Sequence, residues 1–336
     1  MAVRNQYVHG HLGTRAGAGI LLVLLALLRI AALGLAALLA APGLEGQADP
    51  ESRSWNQPIA PFRIIGNLYY VGASDITSYL IATAQGLIVI DGGFVETAPQ
   101  IRDNIAKLGF RVSDVRILLN SHAHYDHAGG LAALKAWSGA RLLASPGDAP
   151  LLEAGGRATP QFGDRFLFPP VKVDHLLHDG EAVTLGGTTL EAHLTPGHTP
   201  GCTTWSMRVA EGGEDHDVVF VCSTSVLPGY RLTGPQSTYP GIADDYARTF
   251  ATLAALPCDV FLAAHAGFFG GEDKARRLRA GARPNPFIDP QGYRAYLAVA
   301  EAAYRARLAA ERSPAGAAPP PGGAVGGPGG RRRAPR

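Results

Sequence analysis

Charge is scarce in this 336-residue sequence: Asp, Glu, Lys and Arg make up 17% of it, and the formal net charge is +2. Part of the basic count is a terminal cluster, Arg331, Arg332, Arg333 and Arg336, so no basic face is left to support nucleic-acid binding. Cysteine is scarcer still. The three present, Cys202, Cys222 and Cys258, exclude more than one internal bridge and leave at least one thiol. None lies near the end of the N-terminal apolar run, which argues against a lipoprotein anchor.

That run, residues 20–41, is rich in Leu and Ala, is broken once by Arg29, and follows the scattered charges Arg4 and Arg15. A secretory signal fits the basic start, the apolar middle and the small residues Ala40, Ala41, Gly46 and Ala48. An uncleaved anchor facing the periplasm fits the length, since a span takes roughly 20 residues. Both readings export the chain. Cleavage is favoured, giving a periplasmic protein without stable membrane association. After Ser313 the composition collapses to Pro, Gly, Ala and Arg, which cannot bury enough apolar surface to fold. Residues 1–48 are therefore read as signal or anchor, 49–312 as one catalytic domain, and 313–336 as a disordered tail.

Within the domain, short β-branched runs alternate with helical stretches. Strands are expected at 62–65, 68–71, 78–82, 87–90 and 116–119, then at 182–185, 188–194, 203–209, 218–221 and 259–263. Helices are expected at 97–108, where Ile101, Ile105 and Leu108 are spaced for one face, and at 129–137, 244–256 and 289–312. Such an order implies an α/β fold, sheets covered by helices on their outer faces. Cys202 and Cys222 fall on consecutive strands joined by a polar hairpin, residues 211–217. Antiparallel pairing would bring their sulfurs together, but disulfide geometry is demanding and spacing alone does not decide it.

The densest chemistry follows the strand ending at Leu119. His122, His124, Asp126 and His127 lie within six residues, a poor way to build either a core or a solvated loop, and one well suited to metal. Imidazole and carboxylate ligands suit zinc, and a catalytic zinc keeps one position open. On a strand-end loop His122 and His124 can share one metal while Asp126 and His127 turn to a second. Each pair is short of ligands. His198, between two Pro-Gly turns in Thr195-Pro196-Gly197-His198-Thr199-Pro200-Gly201, and His265, just past an apolar strand, are the candidates to complete them. His175, His178, His193 and His216 have no partner at ligand spacing and are read as structural.

The cluster, then Gly197-His198-Thr199-Pro200-Gly201, then a later strand-end His, resembles the metallo-β-lactamase fold superfamily. Asp91-Gly92-Gly93 looks like its strand-end turn. The runs 61–64, 66–72, 201–205, 228–232 and 256–260, together with Trp55, resemble its class B, subclass 3 enzymes. The resemblance implies a four-layer αβ/βα sandwich with two Zn2+ ions in a groove between the sheets, one held by His122, His124 and His198, the other by Asp126, His127 and His265. Where other superfamily hydrolases place a metal-bridging Asp, and another lactamase subclass a ligand Cys, this chain offers Ser223, as the third subclass does. Cys222, its neighbour, is read as a strand residue, although a thiolate would bind zinc well.

The implied reaction is hydrolysis of the β-lactam amide of penicillins, cephalosporins or carbapenems. Zinc lowers the pKa of bound water from 15.7 towards about 7, so a bridging hydroxide needs no protein base. Asp126 would orient it, Tyr230 would be an oxyanion donor, and Ser223 and Ser225 would hold the substrate carboxylate. The chief rival is another zinc hydrolase of the same fold, such as a lactonase or a thioester or phosphodiester hydrolase. A zinc-holding protein without catalysis would need a damaged ligand set. A monomer is expected.

Overall fold

A computed structural model describes residues 50–313. The signal or anchor read at 1–48, and all but the first residue of the tail, lie outside them. Among the described residues no helix is long and apolar enough to cross a membrane.

The first sheet contains β1 (Phe62–Ile65), β2 (Leu68–Tyr70), β3 (Tyr79–Thr83), β4 (Gly86–Ile90), β5 (Val115–Leu119), β6 (Arg141–Ala144) and β7 (His175–Leu176), in that spatial order. It begins as an antiparallel meander and turns parallel from β4 onward. The second sheet runs β12 (Val260–Ala263), β11 (Glu214–Val221), β10 (Thr203–Glu211), β9 (Thr188–Leu194) and β8 (Ala182–Leu185), with β11 and β12 parallel and the rest antiparallel.

Strand periodicity decides which side chain meets which layer. Ile88 and Ile90 of β4 join Tyr79 and Ile81 of β3 in the core between the sheets, while Leu87, Val89 and Leu80 turn outward. The outward set is covered by α2 (Thr97–Lys107) through Ile101 and Ile105, and by α4 (Leu131–Ser138) through Leu131 and Leu134. From the second sheet Trp205, Met207 and Val209 face inward, and Phe220 brings its ring 5.1 Å from that of Tyr79. On its outer side Phe261 packs on Tyr293 of α8 (Pro290–Arg312), and Tyr304 of α8 stacks on Tyr246 of α6 (Ile242–Ala255). The result is the four-layer sandwich. Each fully buried Leu, Ile or Phe contributes about 1.5–3 kcal/mol.

Helix α8 starts where expected because Asp289 caps it, accepting from the Gly292 N–H at 2.9 Å, with Pro290 in its first turn. The shorter elements α1 (Pro50–Trp55), α3 (Tyr125–Ala128), α5 (Ala149–Glu153) and α7 (Gly271–Arg279), with β6 and β7, were not legible as periodic runs. Short helices and a two-residue strand carry too little pattern to read, and β6, buried at Leu142, Leu143 and Ala144 in succession, shows no alternation. The polar hairpin is shorter than the sequence suggests. The β10–β11 ladder continues through Val209↔His216 to Glu211↔Glu214, and Gly212 and Gly213, both at positive φ, make the turn.

Candidate metal centre

The strand-end loops that follow β4, β5, β9, β11 and β12 converge on one groove. Asp91, at the end of β4, is a non-glycine residue at φ 63 and is buried. Its carboxylate accepts from Ser121 N at 2.7 Å, Ser121 Oγ at 2.6 Å and Asn120 Nδ2 at 2.9 Å, which fixes the start of the histidine loop. The backbone of Gly130 lies so close that an added Cβ would stand 2.2 Å from the Gly92 carbonyl oxygen. Only glycine lets α4 seat there.

The loop places all four expected ligands in the groove and brings in the two distant ones. The rings of His122, His124 and His198 form a near-equilateral triangle with centroids 4.7 to 4.8 Å apart. Each ring has one nitrogen committed elsewhere. His122 Nδ1 lies 3.0 Å from Ser121 Oγ, His198 Nδ1 donates to the Ser225 carbonyl at 2.8 Å, and His124 Nε2 meets the Gln161 amide at 2.6 Å. The free nitrogens are thus His122 Nε2, His198 Nε2 and His124 Nδ1. His122 Nε2 is buried with no hydrogen-bond partner, the state of a donor atom waiting for a cation.

The second triad is tighter. Nε2 of His127 and Nε2 of His265 lie 3.3 Å apart, and Asp126 Oδ2 lies 3.4 Å and 3.6 Å from them. Ligands bound tetrahedrally to zinc at about 2.0–2.2 Å stand about 3.3–3.6 Å from one another, so these residues fit such an ion. Behind them His265 Nδ1 donates to Asp75 Oδ2 at 2.8 Å, and Asp75 is itself anchored by the Gly267 N–H at 2.7 Å. Carboxylates of this kind orient a metal-bound imidazole and raise its basicity.

Electrostatics suit the same purpose. Burial, reinforced by neighbouring imidazoles, pushes His122 and His124 well below the usual histidine range, and burial lowers His198 to about 4. Three rings are therefore neutral at physiological pH, as ligands must be. Burial would raise Asp126, but His127 beside it holds its carboxyl well below the usual range. Burial would lower His127, but the carboxylates of Asp126, Asp91 and Asp75 outweigh that and raise it.

The remaining expected residues divide. Ser225 is half-buried at the groove edge, whereas Ser223 is 3% exposed and its hydroxyl accepts from Ser225 N–H at 3.3 Å. Tyr230 reaches the site from behind. Its hydroxyl donates to the His198 carbonyl at 2.6 Å and accepts from Gln161 at 2.7 Å, so in this arrangement it steadies the His198 loop and offers no free donor to a substrate. Cys202 and Cys222 are joined in a disulfide, with Cα atoms 5.9 Å apart. That closes the thiolate alternative for Cys222, whose sulfur nonetheless lies 3.6 Å from His122 Nδ1. His175 pairs with Glu181 and His193 with Ser206, away from the groove.

Three functional side chains escaped the sequence reading. Asp75 and Asp148 carry no motif, and Gln161 lies in an irregular loop. Asp148 is 1% exposed and clamps both halves of the first triad. One of its oxygens accepts from Ala123 N and Thr199 Oγ1, both at 2.8 Å, and the other from Gly201 N at 2.9 Å. Phe162, 5.1 Å from His124, and Trp55, 5.4 Å from His265, wall the two ends.

Adjoining imidazole and carboxylate centres at the strand ends of a two-sheet sandwich define a metal-dependent hydrolase. The chain belongs to the metallo-β-lactamase superfamily, whose family model matches residues 71–265. Among solved structures it is similar to the FEZ-1 metallo-β-lactamase of Legionella gormanii, at 42% identity and a TM-score of 0.74 over 76% of this chain and 98% of that one. It is also similar to BJP-1, a subclass B3 metallo-β-lactamase of Bradyrhizobium japonicum, at 45% identity and a TM-score of 0.72 over 76% and 96%. Curated relatives are more distant. A probable metallo-hydrolase of Burkholderia pseudomallei is 32% identical over 136 residues, 40% of this chain, and the chain spans under half, 45%, of that relative's length. A hydroxyacylglutathione hydrolase of Anaeromyxobacter dehalogenans is 29% identical over 68% of this chain and 88% of its own.

Proposed function

We propose that the chain is a di-zinc β-lactamase of subclass B3, opening the amide of penicillins, cephalosporins or carbapenems and so conferring antibiotic resistance. The observation that carries this reading is Ser223 at the end of β11, where a metal-bridging carboxylate would otherwise stand, beside a full set of six ligands. Zinc held by His122, His124 and His198, and by Asp126, His127 and His265, would supply a hydroxide nucleophile at neutral pH and a Lewis acid for the carbonyl.

The protein's own groups do the rest. Asp126, kept ionised, orients the nucleophile towards the lactam carbon. As the oxygen adds there and the C–N bond breaks, the ring nitrogen takes a proton. Ser225, at the groove edge, donates to the substrate carboxylate. The Gln161 amide meets His124 at 2.6 Å and donates to the Tyr230 hydroxyl at 2.7 Å and the His198 carbonyl at 3.1 Å, so like Tyr230 it braces the first triad. Phe162 and Trp55 exclude water.

Sequence similarity to a hydroxyacylglutathione hydrolase favours a second reading, a thioester hydrolase. The deciding experiment offers purified protein a penicillin, a carbapenem, a homoserine lactone and a hydroxyacylglutathione, with zinc and then with chelator. Chelator-sensitive lactam opening is expected to dominate. Lactam turnover no faster than that of a His124→Ala variant overturns the proposal. We further propose an exported, periplasmic monomer that binds small molecules and no nucleic acid. Osmotic-shock fractionation tests the location, with an anchored form appearing in the membrane pellet.

A further inference from the structure

A cleft of about 260 Å3 opens beside the metal groove, and of its lining the reaction above uses Ser225 alone. One wall is the segment that follows β11, Thr224 to Val226, and the other is a single face of α8 that presents Tyr296, Val299, Ala303 and Arg307. Two of its lining residues, Ser225 and Phe268, each contact one metal triad. The Ser225 carbonyl holds His198 at 2.8 Å, and the Phe268 ring lies 5.3 Å from the His265 ring. Phe268 and Tyr296 form a tilted pair with centroids 5.7 Å apart, and the Tyr296 hydroxyl is tied to Thr224 Oγ1 at 2.7 Å. At the far end Arg307 is spoken for, its guanidinium bonding Glu311 and the Tyr230 carbonyl, both at 2.9 Å. Val299 between them is 72% exposed, a large apolar side chain left uncovered on that face.

We infer that this cleft is a substrate subsite for an uncharged aromatic or apolar substituent attached next to the substrate's carboxylate. The inference rests on the lactamase reading. If Ser225 holds the carboxylate, the substituent on the adjacent ring carbon leaves the groove beside Ser225 and enters the cleft. Phe268 and Tyr296 in its lining favour a ring there. Arg307, already neutralised by Glu311, gives an anion no extra reason to bind.

The test compares two cephalosporins that differ only beside the carboxylate, one with a methyl group and one with an aryl-bearing substituent. The wild-type enzyme is expected to have the lower KM for the aryl compound. Ala303→Trp, which fills the cleft from an exposed helix position, should shift the ratio of the two KM values by about ten-fold against it, the scale of one lost apolar contact region. Val299→Ser should shift it the same way by less, with kcat unaltered, since the contact serves ground state and transition state alike. An unchanged ratio in both variants overturns the subsite. So does loss of the aryl preference on deleting residues 314–336, which would assign that preference to the C-terminal segment and not to the cleft. A wild-type protein that opens neither compound removes the lactamase reading itself, and this inference with it.

Discussion

Nδ1 of His265 donates to Oδ2 of Asp75 across 2.8 Å, joining residues 190 positions apart in the chain. The bond fixes which nitrogen of His265 faces Asp126 and His127. Asp75→Ala is therefore expected to weaken metal binding at that triad by about 10- to 100-fold, the usual cost of losing such a carboxylate. Competition with a chromophoric chelator measures it. Equal affinity in the variant would show that Asp75 does not orient the ring.

Gln161 predicts the same signature at the first triad. Because its amide braces His124, the His198 carbonyl and the Tyr230 hydroxyl, Gln161→Ala should weaken metal binding at the first triad by about 10-fold or more. Competition with a chromophoric chelator decides. Unchanged affinity would mean that Gln161 does not orient the triad.

The disulfide closes a short loop, with a sequence separation of 20 residues between Cys202 and Cys222. In the chain-entropy picture this is worth about 3 kcal/mol. A Cys202→Ala, Cys222→Ala double variant should unfold in less urea by that amount. Because the Cys222 sulfur lies against His122, its metal content should fall too. Unchanged stability and metal content would leave the bridge without a structural role.

Asp148 supplies the pH dependence. Burial raises its carboxyl to about 6 from an ordinary value near 3.8. Between those values the folded state binds more protons than the unfolded one, so this group's contribution to stability is present at low pH and is lost as pH rises through about 6. The span is worth about 3 kcal/mol at 1.36 kcal/mol per unit. Relative to wild type, Asp148→Asn should gain stability by an amount of that order between pH 4 and pH 6, read from urea unfolding. A parallel pair of stability curves would count against a buried, late-titrating carboxyl.

Much of this was written locally. Alternation in 87–90 and 203–209 sets two apolar faces whatever the neighbours are, and a His-X-His-X-Asp-His run cannot be spent on anything but polar chemistry. So strands, covering helices and the first four ligands follow from the sequence by itself. His198 and His265 were candidates only, because a lone histidine has no local pattern to distinguish ligand from structure. They came to stand beside the first four because β9 and β12 end at the same groove. The tertiary structure alone made Cys222 half of a disulfide, turned the Tyr230 proton into the His198 carbonyl, and set Asp75, Asp148 and Gln161 behind or beside the ligands. Those roles depend on distances between residues far apart in the chain, and periodicity carries no information about such distances.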